Sequence, residues 1–155
     1  ATFELLGSTR PTAVNLQWAL DRGREAFEAA LGRGATGAEV RRSLEQWAVR
    51  LHEDDVETNR RIGAAGAELF RTGDRVLTHC NAGALATAGY GTAIGVIRSS
   101  FDVGRLESVW VDETRPLLQG ARLTSWELHK LGIPFRLVTD NTSGALMSQI
   151  GRAHV

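Results

Sequence analysis

The sequence predicts an α/β fold: a mainly helical segment over residues 1–73, then a partial Rossmann-like domain over residues 74–155 with β-α-β-α-β-α order. Three observations predict it. The first half carries apolar residues at helical spacing. The second half alternates short apolar runs with helical patterns, as a parallel sheet with right-handed crossovers requires. Two of those runs end in polar clusters, Thr78-His79-Cys80-Asn81 and Asp112-Glu113-Thr114-Arg115-Pro116. An open parallel sheet presents its ligand site in that way, at the carboxyl ends of its strands.

The elements follow in order. Pro11, after Arg10, suits a first helical turn. Ala13, Leu16, Ala19, Leu20 and Phe27 then recur at helical spacing as far as Gly32 and Gly34. Thr36-Gly37 opens a longer stretch that runs to Gly73, striped by Leu44, Trp47, Val49, Leu51, Ile62, Ala65, Leu69 and Phe70. Roughly thirty residues is long for one helix, and Glu53-Asp54-Asp55 leaves room for a break around residues 50–55. Gly73-Asp74 is a turn signal. Strand-like runs come at residues 75–79, 108–111 and 135–139, with helical patterns at 88–104, 117–132 and 144–151. His154-Val155 reads as the beginning of a fourth strand, and Trp18, Trp47, Trp110 and Trp126 are expected in the core.

Composition narrows the function. A chain of 155 residues can bury a sizeable core in one domain, or in one domain with a small appendage. Its 18 basic residues balance 18 acidic ones, and no basic run tracks phosphates, so nucleic acid is not the expected partner. No apolar stretch approaches a membrane span and no signal-peptide pattern is present, so a cytoplasmic protein without a membrane partner is expected. The single cysteine excludes an internal disulfide. The chain opens on Ala1-Thr2-Phe3 without Met and stops at Ala153-His154-Val155, and both ends read as cut.

Among the candidate residues Cys80 is the sharpest. A lone cysteine is commonly a small buried hydrophobe. Cys80, however, lies between His79 and Asn81, ahead of glycine-rich backbone at a helix entrance, where a thiol can be exposed to a ligand. His79 reads as a core or turn histidine; strand alternation would turn it away from Cys80. No Cys/His or carboxylate spacing resembles a metal site, and none is expected. Gly89-Tyr90-Gly91-Thr92-Ala93-Ile94-Gly95 is one residue too long for a dinucleotide fingerprint and too far from the preceding strand. Its glycines are better suited to close packing and to leaving amides free for an anion. Arg10, ahead of a helix start, reads as a phosphate ligand or as a solvent-facing loop arginine. Asp112, Glu113 and Arg115 suit an ion-pair cluster, and Gln119 and Arg122 share a helix face.

Three stretches taken together resemble the methylthioribose-1-phosphate isomerases. They are Arg10-Pro11-Thr12-Ala13-Val14-Asn15-Leu16, the run from Thr78 to Thr92, and Asp112-Glu113-Thr114-Arg115-Pro116-Leu117-Leu118-Gln119-Gly120-Ala121-Arg122-Leu123-Thr124. Asp140-Asn141 and Met147 fit the next block of that pattern. The same fold serves ribose-1,5-bisphosphate isomerases and the regulatory subunits of the initiation-factor exchange complex; the cysteine motif favours the isomerases. The resemblance implies a helical N-terminal domain, a Rossmann-like domain, and a homodimer. It implies conversion of 5-methylthioribose 1-phosphate to 5-methylthioribulose 1-phosphate in methionine salvage, with no metal or organic cofactor. It makes Cys80 the catalytic thiol and assigns Arg10 and Gln119 to the substrate phosphate. It also places a catalytic aspartate, in a Gly-Ala/Cys-Asp-Arg motif, beyond Val155. The chain is therefore expected to be the middle of such an enzyme, inactive by itself or completed by the remainder of the same enzyme.

Overall fold

The computed structural model describes residues 2–150. His154-Val155, read above as the start of a strand, and the final residue of the expected helix 144–151 lie outside the described residues. The chain forms two compact units, Ala1–Glu53 and Asp54–Val155.

The first unit is helical. It holds α1 (Thr2–Ser8), α2 (Val14–Gly32) and the first part of α3 (Gly37–Ala67). Seven residues are too few to show a helical period, so α1 is absent from the sequence reading. Pro11 stands in a turn rather than in the first turn of a helix, and Ala13 is the N-cap residue of α2. Gly23 brings three elements together. A Cβ at that position would lie 2.9 Å from the Trp47 ring and 3.2 Å from the Phe3 ring. Trp18 is half exposed rather than in the core, with the Arg22 guanidinium over its ring.

α3 is a single helix of 31 residues, without the break considered near residues 50–55. Thr36 and Glu39 close its first turn reciprocally: the Thr36 N–H donates to Glu39 Oε2 (2.7 Å) and the Glu39 N–H to Thr36 Oγ1 (3.4 Å). No glycine or proline interrupts it between Ala38 and Ile62, and Asn59 ties back one turn to the carbonyl and carboxylate of Asp55.

The second unit carries a parallel sheet in the order β1-β2-β3: β1 (Asp74–Thr78), β2 (Leu106–Asp112) and β3 (Phe135–Val138). α4 (Ala93–Asp102) and α5 (Ser125–Lys130) make the crossovers, and α6 (Ser143–Ile150) follows β3. Val76, Val109 and Val111 from the strands pack with Ile94 and Ile97 of α4 and with Leu128 of α5. β1 and β2 are largely buried and read as short apolar runs in the sequence; β3, at the sheet edge, exposes Arg136 and Leu137 and is legible from its alternation with helical patterns. α3 approaches α4 closely enough that a Cβ at Gly66 would lie 2.5 Å from Val96. α4 begins five residues later than the pattern suggested, because residues 81–92 form a folded loop. Trp126 is half exposed, a second departure from the expected aromatic core, and Lys130 lies over its ring.

Candidate functional site

The three parallel strands end side by side, and their carboxyl ends carry the polar residues that the sequence singled out. His79, Cys80 and Asn81 follow β1; Asp112 ends β2, with Glu113 and Thr114 next; Asp140 stands just beyond β3.

Cys80 is half-buried, and its backbone is left-handed, with φ +62°. That region costs a residue with a Cβ about 1–3 kcal/mol and persists only where the surroundings impose it. Here they do. The Cys80 N–H donates to Thr114 Oγ1 (2.8 Å), and Thr124 Oγ1 donates to the Cys80 carbonyl (2.5 Å). Both threonines are buried, and Thr114 passes its own proton to the Asp112 carbonyl (3.1 Å). Each such bond contributes about 0.5–1.5 kcal/mol net, enough together to offset the backbone cost.

Glu127 is the buried carboxylate of the site, 4 % exposed. It accepts from the N–H of Ala84 (2.7 Å), the N–H of Leu85 (3.3 Å) and Asn81 Nδ2 (2.9 Å). These amides open the short 3-10 turn Ala84–Ala86, so the carboxylate caps it from across the fold. Asn81 Nδ2 also donates to Thr124 Oγ1 (3.2 Å), which joins Glu127 to the Cys80 clamp. Gly83 makes room for this carboxylate: a Cβ there would run into both Glu127 oxygens.

A second cluster stands beside it. His79 Nδ1 pairs with Asp112 Oδ2 at 3.1 Å, and Ser143 donates to Asp112 Oδ1 at 2.6 Å. Asp140 receives the N–H groups of Thr114 (2.7 Å) and Arg115 (2.8 Å). The Arg115 N–H, working against desolvation and joined by the Thr114 N–H and the charges of His79 and Arg115, holds the Asp140 carboxyl below its ordinary range. Asp112 is therefore engaged by His79 and Ser143, not in the cluster with Glu113 and Arg115 that the sequence suggested. One ligand atom each of His79, Asp112 and Asp140 comes within 4.8 Å of the others, so the fold assembles a potential cation-binding triad from residues that sequence spacing kept apart. Its oxygens already hold the hydrogen bonds just described.

The other expected site residues are placed as follows. Gln119 stands at the entrance to a π-turn, Gly120–Thr124, and the next residue, Gly120, packs directly on the Asp112 carbonyl. Arg10 is exposed, in the turn after α1 in the first unit. Several amides of the glycine-rich loop are engaged within the protein rather than left for an anion as expected. Those of Thr92 and Ile94 donate to the Ala82 carbonyl, that of Gly91 to Thr87 Oγ1, and that of Ala88 to Asp55. A cavity of about 270 Å³ opens between the end of α3, β1 and α4, lined by Phe70, Val76, Val96 and Ile97 among others. Its wall is apolar apart from Thr78 and carries no carboxylate, imidazole or thiol.

The sequence reading missed Thr124 and Glu127. One signal was available: Thr124, Glu127, Leu128 and Leu131 fall on one helical stripe, and a charged residue on an apolar stripe asks for buried partners.

Comparison with known proteins adds to this geometry. A sequence description of the initiation factor 2 subunit family matches residues 1–155. The chain belongs to the initiation factor 2 subunit family. Within it, the chain is 54% identical over 144 residues to the methylthioribose-1-phosphate isomerase of Desulforamulus reducens, covering 93% of this chain and 41% of that protein. The crystal structure of 5-methylthioribose 1-phosphate isomerase from Pyrococcus horikoshii superimposes with a TM-score of 0.86 at 44% identity, over 95% of this chain and 40% of the other. That of the translation initiation factor eIF-2B subunit delta from A. fulgidus gives 0.80 at 47%, over 94% and 42%. The chain thus spans about two fifths of the length of these family members. No helix among the described residues is long and apolar enough to cross a membrane.

Proposed function

We propose that this chain is the thiol-bearing part of an aldose–ketose isomerase that converts 5-methylthioribose 1-phosphate to 5-methylthioribulose 1-phosphate in methionine salvage. The observation that carries the reading is Cys80: a half-buried thiol on left-handed backbone at the carboxyl end of β1, with both backbone polar groups held. Methylthioribose-1-phosphate isomerases at about half identity support it.

The chemistry asks for such a residue. The phosphate locks the anomeric carbon, so the ring must open before hydrogen moves between C1 and C2. Opening needs an acid, and the transfer needs a base in a site closed to water. In this reading Cys80 exchanges the proton, and Arg10 and Gln119 hold the substrate phosphate, the arginine by charge and the glutamine as a neutral donor. The partner aspartate belongs to the remainder of the enzyme, and the 155-residue chain alone is inactive. The working enzyme is a cytoplasmic homodimer.

A second reading is a non-catalytic regulatory subunit, favoured by the likeness to the eIF-2B delta structure. A ribose-1,5-bisphosphate isomerase is a third. Turnover by the full-length protein separates them: methylthioribose 1-phosphate, ribose 1,5-bisphosphate, or neither. On the first substrate, Cys80→Ser should lower kcat by about 10²-fold or more with the fold intact by circular dichroism. A near-parent kcat would remove Cys80 from the mechanism.

A further inference from the structure

Cys80 adopts a backbone that a side-chain-bearing residue does not choose for itself, and two buried hydroxyls from different elements grip it. Thr114, just past β2, takes its N–H; Thr124, the last residue of the π-turn before α5, gives to its carbonyl. We infer that Thr114 and Thr124 are positioning residues that clamp the Cys80 backbone from both sides and thereby aim its thiol. This inference rests on the isomerase reading for its kinetic consequence, though not for its structural one.

The geometry assigns each hydroxyl one direction. Thr124 Oγ1 spends its only proton on the Cys80 carbonyl and accepts from Asn81 Nδ2. Thr114 Oγ1 spends its only proton on the Asp112 carbonyl and accepts from the Cys80 N–H. Neither threonine offers its hydroxyl proton to a substrate, so neither is itself a reacting group. Glu127 stiffens the arrangement by holding Asn81 and the amides of Ala84 and Leu85. The π-turn has a role in this scheme: the extra residue per turn sets the phase with which Thr124, Glu127 and Leu128 face β1 and its loop. A clamp of this kind acts on the chemical step. A thiol turned aside by about 1 Å can lose about 10² in rate while the substrate still binds.

The test compares hydroxyl removal with hydroxyl retention in the full-length protein. Thr124→Val keeps the shape and deletes the hydroxyl; Thr124→Ser keeps the hydroxyl. Valine should lower kcat by about 10²-fold with KM changed by less than about threefold, and serine should recover most of that loss. Iodoacetamide labelling of Cys80, followed by mass spectrometry on the peptide from Val76 to Arg98, reads the thiol without reference to any substrate. Its rate should change by more than about fivefold in the valine variant and stay near the parent in the serine variant. Thr114→Val and Thr114→Ser repeat the comparison on the amide side, and they decide if Thr124→Val does not fold. Parent-like kcat and labelling in the valine variants overturn the clamp, as does a serine variant that falls as far as valine. Cys80→Ser, assayed beside them, separates the two ideas. Activity in that variant overturns the role of the thiol in isomerisation, and labelling then judges the clamp by itself.

Discussion

Cys80 and Gly83 lie three residues apart and are constrained in opposite ways. Cys80 carries a side chain on backbone that suits glycine, and its neighbours hold it there. Gly83 has an ordinary φ of −103°, yet it has no space for a side chain because the Glu127 carboxylate occupies it. Gly83→Ala should therefore push Glu127 off the amides of Ala84 and Leu85 and destabilise the fold by about 1–3 kcal/mol, the usual cost of overpacking. Gly144, in the first turn of α6, faces open space, and Gly144→Ala should leave stability unchanged or raise it by up to about 1 kcal/mol. Urea denaturation of the two variants checks both. Equal midpoints would mean that the loop carrying Cys80 yields easily to Glu127 and that its packing is loose.

Among the elements, the strands were legible because burial writes short apolar runs into β1 and β2, and alternation with helices, β3 included, fixes a parallel arrangement. The polar residues at strand ends were legible for the same reason: Cys80 and Asp112 mark where apolar runs stop. What could not be read is long-range partnership. Thr124 lies 44 residues from Cys80 and Glu127 lies 46 from Asn81, and no local pattern reports a hydrogen bond across that separation. Asp140 shows the same limit. It was legible as part of a motif but not as the acceptor that ties the start of the β2 exit loop to the second residue after β3. Its folded carboxyl titrates below the ordinary value of 3.8, so its contribution is complete above that value and fades as pH falls through the lower folded one. Asp140→Asn keeps one acceptor oxygen and loses the charge. The variant should be less stable than the parent at pH 7, and the gap should narrow as the pH falls below 3.8. Urea midpoints across that range decide it; a gap that stays constant would show that the Asp140 charge does nothing for the turn.

At the scale of the whole molecule, the chain covers 41% of the length of its Desulforamulus reducens relative while matching it across nearly all of its own. A Rossmann-like sheet gathers its site from several strand ends, and only three strands stand among the described residues. Three carboxylates near the strand ends are already committed to structure: Glu127 to the loop amides, Asp112 to His79 and Ser143, and Asp140 to Thr114 and Arg115. In the isomerase reading proposed above, the second proton-transfer group belongs to the remainder of the enzyme. A missing general acid or base costs about 10²–10⁴-fold, and the loss of the walls that exclude water adds to that. The purified 155-residue chain should turn over methylthioribose 1-phosphate at least about 10²-fold more slowly than the full-length protein under the same conditions. Adding the remainder as a separate polypeptide should restore part of the rate if the two halves associate. Full-length rates from the short chain alone would show that its own residues complete the acid–base pair, either through Glu113 just past the end of β2 or through one of the three committed carboxylates leaving its hydrogen bonds during turnover.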